Sequence, residues 1–166
     1  MKRHGWRGVI LGALWGAVIG TSLEARAGHY ELASIEWADP ATLATLASAG
    51  IETTEDLWKA TTTAKGIERL SRKTRIEQPR LREWHRFCDL LFIDGVGPRV
   101  ARVLTESGVR DRRELARQDP EALTRLIEET NRRIGVLGKL PDVDSVRIWI
   151  EQAQRLVGPP GTRRPR

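Results

Sequence analysis

The stretch Ile93-Asp94-Gly95-Val96-Gly97-Pro98-Arg99-Val100-Ala101 sets two glycines around one apolar residue, then a proline and the helical spacing of Val100, Val103 and Leu104. Glycine tolerates a turn too tight for a side chain and lets another backbone come close. Pro98 suits the first turn of a helix, where its missing N–H costs nothing. The pattern predicts a short hairpin that aims free N–H groups outward at a helix N-terminus, a place suited to an anion such as phosphate.

Working outward, a shift of 58 residues lays Ile35-Glu36-Trp37-Ala38-Asp39-Pro40 on Ile93-Asp94-Gly95-Val96-Gly97-Pro98. Leu46 then meets Leu104, Gly50 meets Gly108, Ile51 meets Val109 and Leu57 meets Leu115. After a seven-residue insertion, Leu81, Trp84, Cys88 and Leu91 fall on Val146, Trp149, Ala153 and Leu156. Two copies of one helical unit are expected, about 30–92 and 93–157. The spacing predicts helices over 40–49 and 98–107, closed by Gly50 and Gly108. Short helices follow at 54–60 and 111–118, then longer ones at 63–73 and 120–133, the latter capped by Asp119 ahead of Pro120. Each copy closes with an amphipathic helix, 79–92 and 143–156. No stretch alternates in the manner of a strand, so the fold should be all-α, with residues 28–157 forming one compact helical domain.

The copies differ at the turn. Trp37 and Asp39 stand where the second copy has Gly95 and Gly97. Asp39 would repel phosphate, and its place before Pro40 suits it to cap its own helix. Trp37 at a turn tip is expected to expose its indole, whereas Trp58, Trp84 and Trp149 fall on apolar stripes and belong in a core. Cys88 shares a stripe with Leu81, Trp84 and Leu91, which predicts a small buried side chain; pairing with a second chain is the alternative. A lone cysteine makes no internal disulfide.

The ends read differently. Lys2, Arg3 and Arg7 precede an uncharged run from Gly8 to Gly20, and Ala25-Arg26-Ala27 follows. That order predicts a signal peptide over 1–27 and an exported, periplasmic or secreted protein. An uncleaved anchor over 8–23 is the alternative, and only then would a membrane be a partner. Residues 158–166 hold Arg163, Arg164 and Arg166 among prolines and glycines and read as a disordered basic tail. The net charge of +6 and pI of about 10.2 come largely from these ends, since residues 28–157 carry 21 basic and 21 acidic side chains. Composition therefore does not make the domain a general polyanion binder. Bases do cluster locally. Lys65 to Arg86 holds eight against three acids, and Gly95 to Arg117 holds six against three. A solvated helix face laced with ion pairs explains such runs equally well.

The glycine–apolar–glycine turn resembles the helix-hairpin-helix motif, and the two-copy arrangement resembles the domain-of-unknown-function 4332 family (DUF4332) over about Tyr30 to Leu156. The resemblance implies an all-α fold of two tandem helix-hairpin-helix units after the signal peptide. It also implies that Gly95 and Gly97 are the turn glycines, Val96 the inward apolar residue, Ala101 a close-packing position and Arg99 a phosphate contact. With Arg102 adding charge, the expected phosphate-binding set is Gly95, Val96, Gly97, Arg99 and Arg102. Trp37 and Asp39 depart from the family's pattern of glycines in both hairpins.

Two functions remain open on the sequence. One is weak, sequence-independent binding of a DNA or RNA backbone through the second hairpin, extended by a basic surface of Lys65, Arg69, Arg72 and Lys73. The other is a protein-interaction or scaffold module that keeps the fold without the nucleic acid. An enzyme is not expected, nor a cofactor. His4, His29, His85 and Cys88 are too scattered for a zinc site, and there is no nucleotide loop or nucleophile elbow.

Overall fold

A computed structural model describes residues 29–158. Residues 1–27, expected as a signal peptide, and the expected tail beyond Gly158 lie outside the described residues. Among the described residues, a 3-10 turn at Leu32–Ser34 is followed by eight helices: α1 Pro40–Ser48, α2 Thr54–Thr61, α3 Ala64–Thr74, α4 Gln78–Leu90, α5 Pro98–Glu106, α6 Arg112–Leu115, α7 Pro120–Ile134 and α8 Val143–Val157. Strand-like pairing among the described residues is confined to one antiparallel bridge between Glu31 and Thr53. The domain is all-α.

Local chemistry places most of these boundaries. Asp39, Thr53, Thr63, Asp111, Asp119 and Asp142 each accept a backbone N–H from the first turn of the helix that follows. Side-chain caps of this kind satisfy donors that the helix itself cannot. Gly50 and Gly108 sit just past α1 and α5 at φ +79° and +91°, a conformation that favours glycine. The expected helix over 111–118 is shorter than its sequence suggests. It tightens into bonds from Arg117 N–H to Glu114 O and from Gln118 N–H to Leu115 O. Asp119 must be extended ahead of Pro120 and stands at φ −87°, ψ 131°, so the helix ends early.

The 58-residue relation holds in the backbone. Ala38 N–H donates to Ile35 O at 3.0 Å, and Val96 N–H donates to Ile93 O at 2.9 Å. Ile51 N–H reaches Leu46 O at 3.0 Å, and Val109 N–H reaches Leu104 O at 2.9 Å. Packing repeats as well, since α4 lies against α2 and α3 while α8 lies against α6 and α7. Asp89 on α4 accepts from the Trp58 indole on α2, and its counterpart Gln154 on α8 donates to Ala116 O after α6. The extra residues of the second copy lie in the loop after α7. There the Asn131 side chain accepts from Val136 and Leu137 N–H and donates to Leu137 O.

One apolar core runs through both halves. Ile35, Leu46, Leu57, Leu81, Leu91, Ile93, Val96, Leu104 and Leu115 are almost fully removed from solvent. Each such side chain contributes about 1.5–3 kcal/mol of burial. Cys88 is buried, as its stripe predicts, and burial pushes its thiol well above the ordinary range. Asp89 joins the halves: it pairs with the Arg112 guanidinium and accepts Arg112 N–H at 3.1 Å, both partners being mostly buried. The opening helices are held unequally. α5 buries Ala101, Val103 and Leu104 and packs on α7 and α4, whereas α1 buries Leu46 alone.

Candidate functional site

The second turn is tied down before it meets any ligand. Asp94 N–H donates to the Gln152 side chain at 2.9 Å, and Gln152 donates back to Asp94 O at 3.3 Å. Val96 N–H is held by Ile93 O, and the Val96 side chain is 1% exposed. Of the expected phosphate contacts, Val96 thus has its amide consumed inside the fold, and so does its neighbour Asp94. Gly95 and Gly97, which the motif treats as a pair, have separate causes.

Gly95 lies at φ +87°, and a Cβ there would stand 2.8 Å from the Trp149 indole nitrogen. Its close neighbour is a side chain of its own domain, not a foreign backbone. Gly97 is different. It has φ −81°, and its nearest contact for an added Cβ is the Tyr30 hydroxyl at an ordinary 3.6 Å. Neither conformation nor packing requires glycine there. What glycine does is leave α5 without a side-chain cap. The amides of Arg99 and Val100 have no acceptor among the described residues.

In the first copy Asp39 fills that place. Its carboxylate accepts Thr42 N–H at 2.8 Å and the Thr42 hydroxyl at 2.8 Å. The Thr42 hydroxyl bond and then its amide hold the Asp39 carboxyl below the usual carboxylate range. Asp39 therefore caps its own helix, as its sequence position suggests. Trp37 is not the free indole expected of a turn tip. It is half-buried, edge-to-face with Phe87 at 5.8 Å, and the Arg102 guanidinium lies 5.1 Å over its ring. Phe87 is the counterpart of Gln152, so one turn is closed by aromatic contact and the other by a paired amide.

The fold sets the two turns side by side. Tyr30, Ser34, Glu36 and Trp37 share a slot of about 370 Å³ with Gly97, Arg99 and Val100 at the start of α5. Arg99 pairs with Glu36 at 2.6 Å, both well exposed. Of the residues expected to contact phosphate, Arg99 and Arg102 are thus both engaged by the first turn. Beyond Trp37, between α4 and α5, Arg102 also lines a second cleft, with Arg80, Arg86 and Arg110.

The expected basic surface stands elsewhere. Lys65, Arg69, Arg72 and Lys73 are exposed on α3, which packs on α2 and α4, and none lines the clefts that hold Arg99 and Arg102. Lys73 donates to Ala49 O at 2.8 Å and so serves the C-terminal end of α1. Arg72 lies 3.8 Å from Glu68 on its own helix. Sequence reading missed Glu36, and it placed Arg80, Arg86 and Arg110 in two basic runs without bringing them together. The repeat did mark the position of Glu36, which aligns with Asp94, but its partner Arg99 is 63 residues away.

Among the described residues no group of His, Cys, Asp and Glu is placed to hold a metal, and no helix is long and apolar enough to cross a membrane. Comparison with curated proteins and with solved structures gives no match. The family described as a domain of unknown function (DUF4332) matches residues 38–156. The chain belongs to that family.

Proposed function

We propose that this DUF4332 chain is a non-catalytic module, exported after loss of residues 1–27, that binds a nucleic-acid backbone weakly and without sequence preference. In this reading its two halves are tandem helix-hairpin-helix units, and only the second meets phosphate. The observation that carries it is the start of α5, where Gly97 leaves the Arg99 and Val100 amides open in the place that Asp39 fills in the first copy. Open amides, the positive end of a helix and an adjacent guanidinium suit a phosphate oxygen. Arg99 and Arg102 give charge but no base readout.

Replacing Gly97 with Asp tests this. Titration of labelled DNA by fluorescence anisotropy should show wild-type binding that steepens at low salt, with a tenfold or greater loss in Gly97→Asp. Equal affinities would remove the hairpin from the function.

A second reading has its own observation. Glu36 and Trp37 already occupy Arg99 and Arg102, which favours a protein-interaction module whose anion site is closed by its own first turn. Such a module would bind no nucleic acid even after Glu36→Gln.

A further inference from the structure

Two basic runs, Lys65–Arg86 and Gly95–Arg117, are only partly used by the hairpin, and the fold brings residues from both together. The cleft between α4 and α5 encloses about 560 Å³ and is walled by Arg80, Arg86, Arg102 and Arg110. Its aromatic lining is Trp37, Trp84 and Phe87. Arg80 is paired with Glu83 at 3.1 Å. The Arg86 and Arg110 guanidiniums pair with no carboxylate among the described residues, although the Arg110 backbone N–H donates to Glu114, and Arg102 faces the Trp37 ring instead of an acid. Glu106 is the remaining acid on the lining. Guanidiniums gathered in one opening repel each other, and an anion between them relieves that repulsion. On the same lining Trp84 is 6% exposed, and its buried indole N–H finds no acceptor among the described residues.

We propose that this cleft takes one or two nucleotides of a single-stranded nucleic acid. Phosphate oxygens go to Arg86, Arg102 and Arg110, and a base lies against the wall that Trp37 and Arg102 build. The proposal rests on reading the start of α5 as a phosphate site. Arg99 and Arg102 are one turn apart on α5, and Trp37 borders both the slot before the helix and the cleft beside it. A strand can therefore pass from one opening to the next.

Size and chemistry select the single strand. A cavity of some 300–1,000 Å³ holds a ligand of about nucleotide size, not a duplex. Duplex bases are stacked away, whereas an unpaired base is free to lie on an aromatic ring or a guanidinium plane. Guanidinium forks match phosphate oxygens in pairs. An acidic peptide would meet the same charges but has no use for the aromatic lining.

The test is anisotropy titration of the full-length chain with labelled oligothymidylate of about twelve nucleotides. A duplex of equal length and poly-glutamate serve as the other two probes. The expected result is about tenfold tighter binding of the single strand than of the duplex. Arg86→Ala with Arg110→Ala should erase that advantage while duplex affinity stays within about twofold, and circular dichroism should be unchanged because both side chains are exposed. If that pair fails to fold, Arg86→Lys with Arg110→Lys keeps the charge, loses the fork, and should weaken single-strand binding severalfold. Equal affinity for single strand and duplex overturns the cleft proposal and leaves the hairpin reading standing. Loss of neither probe on Gly97→Asp overturns the hairpin reading. Poly-glutamate competing as well as oligothymidylate, or a double variant that binds like wild type, overturns the cleft proposal alone.

Discussion

The turns at Ile35–Pro40 and Ile93–Pro98 have one backbone and two chemistries. Each closes with an N–H donated three residues back, and each feeds a helix that begins at proline. The first satisfies its helix end from within, through Asp39, and covers its tip with Trp37 against Phe87. The second leaves its helix end open at Gly97 and uses Gly95 to admit Trp149. The contrast teaches that a glycine pair read as one motif can have two unrelated causes. Gly95 is explained by packing, and Gly97 is explained by nothing within the domain. Only the second carries the proposed phosphate site.

The largest expected effect separates those causes. Gly95→Ala places a Cβ 2.8 Å from the Trp149 nitrogen at a φ that disfavours side chains. It should cost about 2–4 kcal/mol, combining backbone strain and overpacking, and thermal melting should report a drop near 10 °C. Trp149→Phe in the same chain should recover part of that loss, which a double-mutant cycle will measure. A Gly95→Ala variant as stable as wild type would break the distinction.

Gly97→Asp imposes the first copy's chemistry on the second. Stability should rise by a few tenths of a kcal/mol from the new cap, while anion affinity falls at least tenfold, about 1.4 kcal/mol. Opposite signs in the two measurements would be difficult to obtain from mere damage to the fold. The sharpest variant on the other side of the slot is Glu36→Gln. It frees Arg99, so affinity for DNA should rise about threefold at low salt, with the gain fading as salt screens the exposed charges. Unchanged affinity would show that the Glu36–Arg99 pair does not compete with ligand.

The smallest effect concerns acid stability. His85 is half-buried against Trp58 and Thr61, with Asp89, Asp111 and Arg112 nearby, and its counterpart in the second copy is the buried Ile150. Burial holds the imidazole below its ordinary 6.5. The unfolded chain then binds a proton that the folded chain refuses, so stability is full above pH 6.5 and declines as pH falls below it. Solvent screening at this half-exposed ring keeps the decline small. Asp39, Glu55, Asp56 and Asp142, all with lowered pKa values, lose their contributions later, below their ordinary 3.8 to 4.5. Urea midpoints against pH should show His85→Ile flattening the first decline and leaving the second.

Much of the fold was legible because its signals are local. Asp39, Asp111 and Asp119 announce helix starts through bonds three residues long, and Gly50 and Gly108 announce ends through a backbone angle. The repeat then set both copies in the same order. The site was less legible. Val96 and Asp94 amides are used inside the fold, Trp37 is covered, and the α3 bases stand apart from the second turn.

The sequence by itself determined the helical class, the two-copy order and the residue that caps or fails to cap each opening helix, since these depend on neighbours within one or two turns. Tertiary structure alone decided that Trp149 underlies Gly95, that Glu36 meets Arg99, and that Arg86, Arg102 and Arg110 share a cleft. Those contacts join residues far apart in the chain. Their geometry is set by how α4, α5 and α8 pack, which no local pattern encodes.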